Sequence, residues 1–177
     1  MKKNMKPALF IAQAAIIAAL YVVITYFVAA FNLASGAIQV RLSEALTILP
    51  VFTPAAIPGL FIGCLLANTL TGAVIWDIIF GSLATLIATI GTYLLRKTKF
   101  LYTLPPVLSN AIIVPLVLQK AYGLEDAYWF LFLTVGLGEV ISVCVLGFLL
   151  KNALSRYKNV IFAQDADSVK KEDCKED

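Results

Sequence analysis

Long runs of apolar residues, separated by short polar breaks, fill most of the chain. A helix needs about 20 apolar residues to cross the hydrocarbon core of a bilayer, so runs near this length predict membrane-spanning helices. Six segments are predicted, and the second is the shortest. Because its first residues are polar, we expect it to be a short helix that starts at the membrane surface. The segments are residues 8–31, 38–52, 55–70, 75–95, 101–118 and 127–150.

Three prolines at four-residue spacing lie where the second segment meets the third: Pro50, Pro54 and Pro58. Proline removes a backbone N–H donor and clashes with the preceding helical turn, which disfavours one straight helix through all three. We therefore predict a tight turn at Thr53 and Pro54, with a separate helix on each side.

The positions of the basic residues indicate the orientation of the bundle. With six spans, nine basic residues close to the spans lie on the side of the N-terminus, and only Arg41 and Lys120 lie on the other side. With five spans, six of these nine would lie outside. Since cytoplasmic loops are rich in lysine and arginine, we predict six spans with both termini in the cytosol. The nine are Lys2, Lys3, Lys6, Arg96, Lys97, Lys99, Lys151, Arg156 and Lys158.

Composition supports the same architecture. Of the 177 residues, 60% are hydrophobic and 14% are charged, whereas a soluble domain carries about 25% charged residues. Nine of the 25 charges lie in the last fifteen residues. We predict an all-α transmembrane bundle over residues 1–160 and a charged, disordered cytosolic tail over residues 161–177.

Several classes of function are disfavoured by residues that the chain lacks. It contains no histidine, which is the commonest general base and the commonest metal ligand. It has no GxxxxGK[ST] phosphate-binding loop, so we expect any ATP hydrolysis to come from partner proteins. We predict no enzymatic activity, no cofactor and no metal of its own, and the net charge of +3 does not indicate nucleic-acid binding.

Polar residues within the apolar segments are the candidates for function. Glu139 stands near the middle of the last segment, and Asn110 near the middle of the fifth. A carboxylate at the bilayer centre costs about 2.5 to 3.5 kcal/mol on insertion scales, so Glu139 must face protein or a wet cavity. The remaining candidates lie near the outer ends of the predicted spans. The full predicted substrate-binding set is Arg41, Glu44, Asn68, Trp76, Asp77, Asn110, Trp129 and Glu139.

Each candidate also has a structural explanation. Arg41 and Glu44, three residues apart on a helix, can pair with each other. Asp77 is a favourable charge in a helical first turn. The two tryptophans fit an aromatic belt at the membrane interface, and the two asparagines fit interhelical hydrogen bonds. Glu139 can be a neutral or paired structural carboxyl. The clustering of so many polar side chains in the outer half favours a binding role.

Small residues form two further patterns. Gly59, Gly63 and Ala67 repeat every four residues, a spacing that lets helix backbones approach closely, and we assign them to internal packing. The first segment carries a smooth alanine surface near its predicted cytosolic end, which suits docking of a partner helix. This predicted docking set is Ala8, Ala12, Ala14, Ala15, Ala18 and Ala19.

Local motifs over residues 6–157 resemble the substrate-binding S components of energy-coupling factor (ECF) transporters. More narrowly, the chain resembles the queuosine-precursor (QueT) family. The motifs are Arg41-Leu-Ser-Glu-Ala-Leu46, the proline-spaced turn to Pro58-Gly59-Leu60, Gly63-Cys-Leu-Leu-Ala-Asn68, and Trp76-Asp77 followed by Gly81 and Ala84-Thr85. The alanines of the first segment match the AxxxA surface with which S components engage their coupling subunit.

The resemblance implies import of a 7-deazaguanine precursor of queuosine across a bacterial cytoplasmic membrane. It also implies a coupling membrane subunit (EcfT) and two ATPase subunits (EcfA type) as partners. A carboxylate suits the adjacent N–H donors of a guanine-like edge, and an amide or arginine suits its carbonyl. A tryptophan suits the flat ring. The sequence does not indicate which carboxylate would bind which group of the ligand.

Three other functions remain as alternatives. The pocket of an S component can vary while its docking face is kept, so another small nutrient or a vitamin is the first alternative. A membrane enzyme with Glu139 or Asp77 as acid or base is disfavoured, because no serine or cysteine stands beside a credible base. The third alternative is a membrane assembly factor without a ligand.

Overall fold

A computed structural model describes residues 7–30, 41–98, 100–121, 123 and 127–161, and all of the regular elements within them are helical. The six α-helices are α1 (Pro7–Ala30), α2 (Ala56–Leu70), α3 (Ile75–Leu94), α4 (Leu104–Ala121), α5 (Tyr128–Glu139) and α6 (Gly147–Ile161). A 3₁₀ helix over Leu42–Val51, here called the central 3₁₀ helix, stands between α1 and α2, and a 3₁₀ turn over Leu101–Thr103 leads into α4. A π-helical segment over Val140–Leu146 joins α5 to α6.

The six predicted segments are confirmed as helical. Four helical stretches are long and apolar enough to cross a membrane: Pro7–Ala30, Ile75–Leu94, Leu101–Ala121 and Tyr128–Tyr157. The central 3₁₀ helix and α2 are apolar but shorter. Their junction contains the predicted turn, where the Thr53 backbone N–H donates to the Leu49 carbonyl. The N-terminal lysines and the tail from residue 162 lie outside the described residues, and the orientation of the termini stays a prediction.

The central 3₁₀ helix differs from the helix expected at the membrane surface. Eight consecutive residues, Ser43 to Pro50, are buried, so this element runs through the interior of the bundle. It contacts α1, α2, α3, α6 and the π-helical segment. A 3₁₀ helix rises about 2.0 Å per residue, so its ten residues reach about 20 Å, further than an α-helix of equal length. The tighter helix therefore carries a short sequence deep into the bundle.

Close contact between α1 and α2 depends on two glycines. A Cβ atom at Gly59 would lie 2.7 Å from the Ala14 carbonyl oxygen, and one at Gly63 would lie 2.9 Å from the Tyr21 Cβ and 3.0 Å from the Ala18 carbonyl oxygen. The prediction that these glycines serve internal packing is confirmed. The apolar core beside this contact includes Ile17, Leu46, Leu49, Leu60 and Cys64.

Replacing Gly59 with alanine is expected to destabilise the protein by about 1 to 3 kcal/mol, because the added methyl group meets a backbone carbonyl that cannot move alone. Gly136→Ala is the matched control, since a Cβ there would lie an ordinary 3.7 Å from Ala111. Thermal unfolding of the purified variants measures both effects. An equal midpoint for the two variants would contradict the close packing of α1 on α2.

Candidate functional site

A polar pocket of about 460 Å³ lies at the end of the bundle where α2 turns into α3. Its size suits one small solute. Its walls come from α1, the first residues of the central 3₁₀ helix, the α2–α3 turn and the start of α3. Three predicted residues line it, namely Arg41, Asn68 and Asp77. The structure therefore brings together three predicted residues that lie far apart along the chain, and their role in binding stays a prediction.

Arg41 and Asp77 form the charged part of the pocket wall. The guanidinium Nη2 lies 4.0 Å from Asp77 Oδ1, and the side chains are 22% and 9% exposed. Arg41 thus reaches across to α3, although pairing with Glu44 on its own segment was the simple structural alternative. Asp77 also occupies the first turn of α3, so its helix-terminal role and its pocket position coexist.

Asn68 and Gly81 complete this wall. The Asn68 side-chain amide donates to the Asp77 carbonyl oxygen at 3.4 Å, joining α2 to α3. A Cβ at Gly81 would lie 3.1 Å from Asn68 Nδ2 and 3.2 Å from Asp77 Oδ1. Glycine at this position therefore leaves room for the two polar side chains, one helical turn after Asp77.

Glu44 lies behind the pocket, completely buried. The Tyr21 hydroxyl donates to its Oε1 at 2.5 Å, and the Asn110 amide donates to its Oε2 at 3.4 Å. These bonds join α1, the central 3₁₀ helix and α4. Sequence depth placed Glu44 at the outer surface and Asn110 in the middle of the membrane. The structure brings the two residues together, because the central 3₁₀ helix lies inside the bundle.

Glu139 joins this buried group from the last residue of α5. Its side chain is 3% exposed, so it faces protein, as the cost of a lipid-facing carboxylate predicted. It interacts with the Asn110 amide and lies within electrostatic range of Glu44 and Arg41. The π-helical segment begins at the next residue, and such irregular turns occur often at functional sites.

The two predicted tryptophans do not reach the pocket. Trp76 is 54% exposed and Trp129 is 71% exposed. Trp76 precedes Asp77, and since successive residues on an α-helix point about 100° apart, only one of the pair can face inward. Trp76 stacks on Phe80, and Trp129 packs edge-on against Phe132. Their outward positions fit the aromatic-belt alternative better than a stacking platform for a ligand.

Comparison with known proteins adds one observation. A family model described as QueT transporter matches residues 11–156, which is most of the chain. The chain belongs to the QueT transporter family. No match to a curated protein or to a solved structure accompanies it.

Membership in the QueT family identifies a transport protein and not an enzyme. It agrees with the several helices that are able to span a membrane, and it implies a small-molecule substrate. Within the described residues, no group of three or more histidine, cysteine, aspartate or glutamate side chains is placed to hold a metal ion. The polar pocket and the buried residues behind it are the substrate-site candidates for this QueT transporter.

Some residues of the candidate site were missed by sequence reasoning. Tyr21 and Thr25 line the pocket from α1, and Thr85 donates to Cys64 Sγ at 3.4 Å beneath it. The available signal was the four-residue spacing of Tyr21 and Thr25, which places both on one face of an otherwise apolar helix. A tyrosine in an apolar run attracts little attention because its ring is itself apolar.

The alanine surface of this QueT protein divides into two sets. Ala14 and Ala18 pack against the glycines of α2, and Ala18 is buried. The other four predicted docking alanines are exposed: Ala8, Ala12, Ala15 and Ala19. An apolar groove of about 660 Å³ between α1 and α2 is bordered by Ala14, Ala15, Ala18 and Ala19. Four of the six alanines are therefore accessible from outside the bundle, and their role in docking stays a prediction.

Substituting Tyr21 with phenylalanine is expected to destabilise the protein by about 1.5 to 3 kcal/mol, the range for a hydrogen bond to a charged group. The change removes the hydroxyl that donates to Oε1 of the buried Glu44 and keeps the ring. Tyr26→Phe on the same helix is the control, because Tyr26 is 60% exposed. Denaturant or thermal unfolding that shows equal stability for the two variants would refute the role of this bond.

Proposed function

We propose that this chain is the membrane-embedded S subunit of an ECF-type importer in a bacterial cytoplasmic membrane. It captures a queuosine precursor of the 7-deazaguanine class from the outer side, with both of its own termini in the cytosol. Partner subunits then drive uptake with ATP. The observation that carries the proposal is the pocket formed by Arg41, Asn68 and Asp77 in a QueT family member.

The chemistry of the pocket wall suits a guanine-like edge. Asp77 offers carboxylate oxygens, which accept from adjacent N–H groups, and Arg41 offers N–H donors for a ring carbonyl. Asn68 carries both a donor and an acceptor. Charge-assisted hydrogen bonds of this kind are the stronger ones, and a planar guanidinium adds geometric selection. Tyr21 supplies an aromatic ring at the pocket, the part that sequence analysis assigned to tryptophan.

Energy for transport is proposed to come from partners. The described pocket and groove lie on different parts of α1, because Tyr21 and Thr25 border the pocket whereas Ala15 and Ala19 border the groove. Small side chains on an exposed helix let a second helix approach closely. We propose that the coupling membrane subunit docks a helix there, and that two ATPase subunits hydrolyse the ATP.

The first test is titration of purified protein with a 7-deazaguanine. Asp77→Asn places an N–H donor where the ligand also donates, and is expected to weaken binding roughly ten- to hundredfold, as loss of a charge-assisted bond predicts. Trp76→Leu is the matched neighbour control, since Trp76 faces away from the pocket, and its affinity should stay within about twofold of wild type.

The possible results of that titration distinguish the assigned pocket wall, the tryptophan alternative and the alternative ligand class. Unchanged affinity in Asp77→Asn would reject the assigned pocket wall. Lower affinity in Trp76→Leu would support the alternative in which Trp76 stacks on the ring of the ligand. The same titration is run with a panel of vitamins. If the wild-type protein did not bind 7-deazaguanines but bound one of the vitamins, the alternative S-component function would replace the proposed one.

The second test concerns docking. The double substitution Ala15→Leu/Ala19→Leu is expected to lower cellular uptake about tenfold or more. The bulky side chains prevent close approach of the partner helix, which weakens docking by about 1 to 3 kcal/mol. Ligand binding by the isolated subunit should persist. Ala153→Leu, at an exposed alanine of α6, is the control and should leave uptake intact. Equal loss of uptake and binding would place this part of α1 in the pocket instead.

A further inference from the structure

A groove of about 770 Å³ lies between α3 and α4, here called the α3–α4 groove. Its walls come from the first part of α3, with Phe80 and Leu83, and from the last part of α4, with Ile113 and Leu116. Phe80, Leu83 and Leu116 are exposed. The groove therefore opens to the surroundings of the bundle, whereas the polar pocket lies between α1, α2 and α3.

The α3–α4 groove has the depth of one membrane leaflet. It runs from Trp76 to Leu83 on α3 and from Ile113 to Ala121 on α4. At about 1.5 Å per helical residue, these stretches are about 10 to 12 Å long. Half of a hydrocarbon core of about 30 Å is about 15 Å. Because both helices are long and apolar enough to span a membrane, the groove covers most of the leaflet at the pocket end of the bundle.

One positive charge stands at the mouth of this apolar groove. Lys120 is exposed, and it is the only charged residue among the described residues that line the groove. Trp76 lies at the same end and is also exposed. Tryptophan is enriched at the level of the lipid headgroups, and a lysine near a helix end extends its ammonium group to the same level. The groove thus combines an apolar floor with a cation at headgroup depth.

We propose that the α3–α4 groove binds one anionic phospholipid. Its phosphate pairs with Lys120, and one acyl chain lies along Phe80, Leu83 and Leu116. An ammonium group has three donors and no acceptor, which suits phosphate oxygens. A zwitterionic headgroup is disfavoured, because it brings a cation of its own close to Lys120. This site is separate from the polar pocket and does not depend on which solute is transported.

The bound lipid supports the helix that carries the pocket wall. Trp76 lines the α3–α4 groove, and the next residue, Asp77, lines the polar pocket. The start of α3 therefore has the groove on one side and the pocket on the other. An acyl chain in the groove packs against the outward face of α3 and leaves its inward face free for a solute.

Tryptophan fluorescence tests the site, because the chain has two tryptophans and only Trp76 lines the groove. Full-length Trp129→Phe protein is placed in mixed bilayers of phosphatidylcholine and phosphatidylglycerol, with bromine on the acyl chains of one lipid at a time. Bromine quenches a tryptophan that it contacts. Trp76 should show a preference of about fivefold or more for phosphatidylglycerol, as expected for one lysine beside an anionic lipid. Trp76→Phe protein, which keeps Trp129 alone, is the reference and should show about twofold at most.

Substitutions of Lys120 in the Trp129→Phe protein test the role of the charge. Lys120→Gln should lower the lipid preference at Trp76 to about twofold or less, whereas Lys120→Arg should retain it because the charge is kept. Lys97→Gln is the matched control, since Lys97 is exposed and lies beyond the opposite end of α3. It should leave the preference at Trp76 unchanged.

Three results would overturn the lipid site. Equal quenching of Trp76 by the two brominated lipids would show an ordinary lipid-facing surface. Equal losses in Lys120→Gln and Lys97→Gln would show that the preference follows from net charge. Quenching of Trp129 without quenching of Trp76 would show that another protein chain covers the groove. No transported solute is present in these measurements, so none of the three results bears on the proposed importer function.

Discussion

The buried carboxylate of Glu44 is the constraint on which the rest of the bundle depends. A carboxylate removed from water must have its oxygens occupied by donors, because an unbonded buried charge is costly. Tyr21 and Asn110 supply these donors from opposite sides. The central 3₁₀ helix is thereby fixed between α1 and α4, and its neighbours Ser43 and Thr47 are buried with it. The position of Arg41, and hence of the pocket wall, follows from the same arrangement.

Sequence reasoning recovered the parts of the architecture that simple rules govern. Apolar length and proline placement gave the helices and the turn after the central 3₁₀ helix, since both rules are local. The insertion cost of a charge placed Glu139 against protein. The close contact of α1 with α2 followed from the spacing of Gly59 and Gly63. Each of these statements depends on properties that a single segment carries by itself.

The candidate site was recovered only in part, because it depends on relations between segments. Arg41 and Asp77 were found as polar residues near helix ends, but their mutual contact required the fold. Trp76 lies outside the polar pocket, and sequence distance cannot tell which of two adjacent helical residues faces inward. Tyr21 was missed because its hydroxyl matters only when Glu44 is beside it. Glu44 was predicted at the outer end of a straight α-helical span. It lies in the interior, because its segment forms a 3₁₀ helix that the sequence analysis did not predict.

The π-helical segment has a consequence for how related chains can differ in length. A residue added to or removed from an α-helix rotates everything beyond it by about 100°. Val140–Leu146 follows directly after Glu139 and precedes the helix that packs on the central 3₁₀ helix. Loss of one residue there would restore regular α-helical turns and would turn α6 relative to α5. Glu139 and the inward face of α6 could then no longer point to the same interior. The π-helical segment thus sets the rotation of α6 relative to α5, and we expect this stretch to tolerate substitution more readily than deletion.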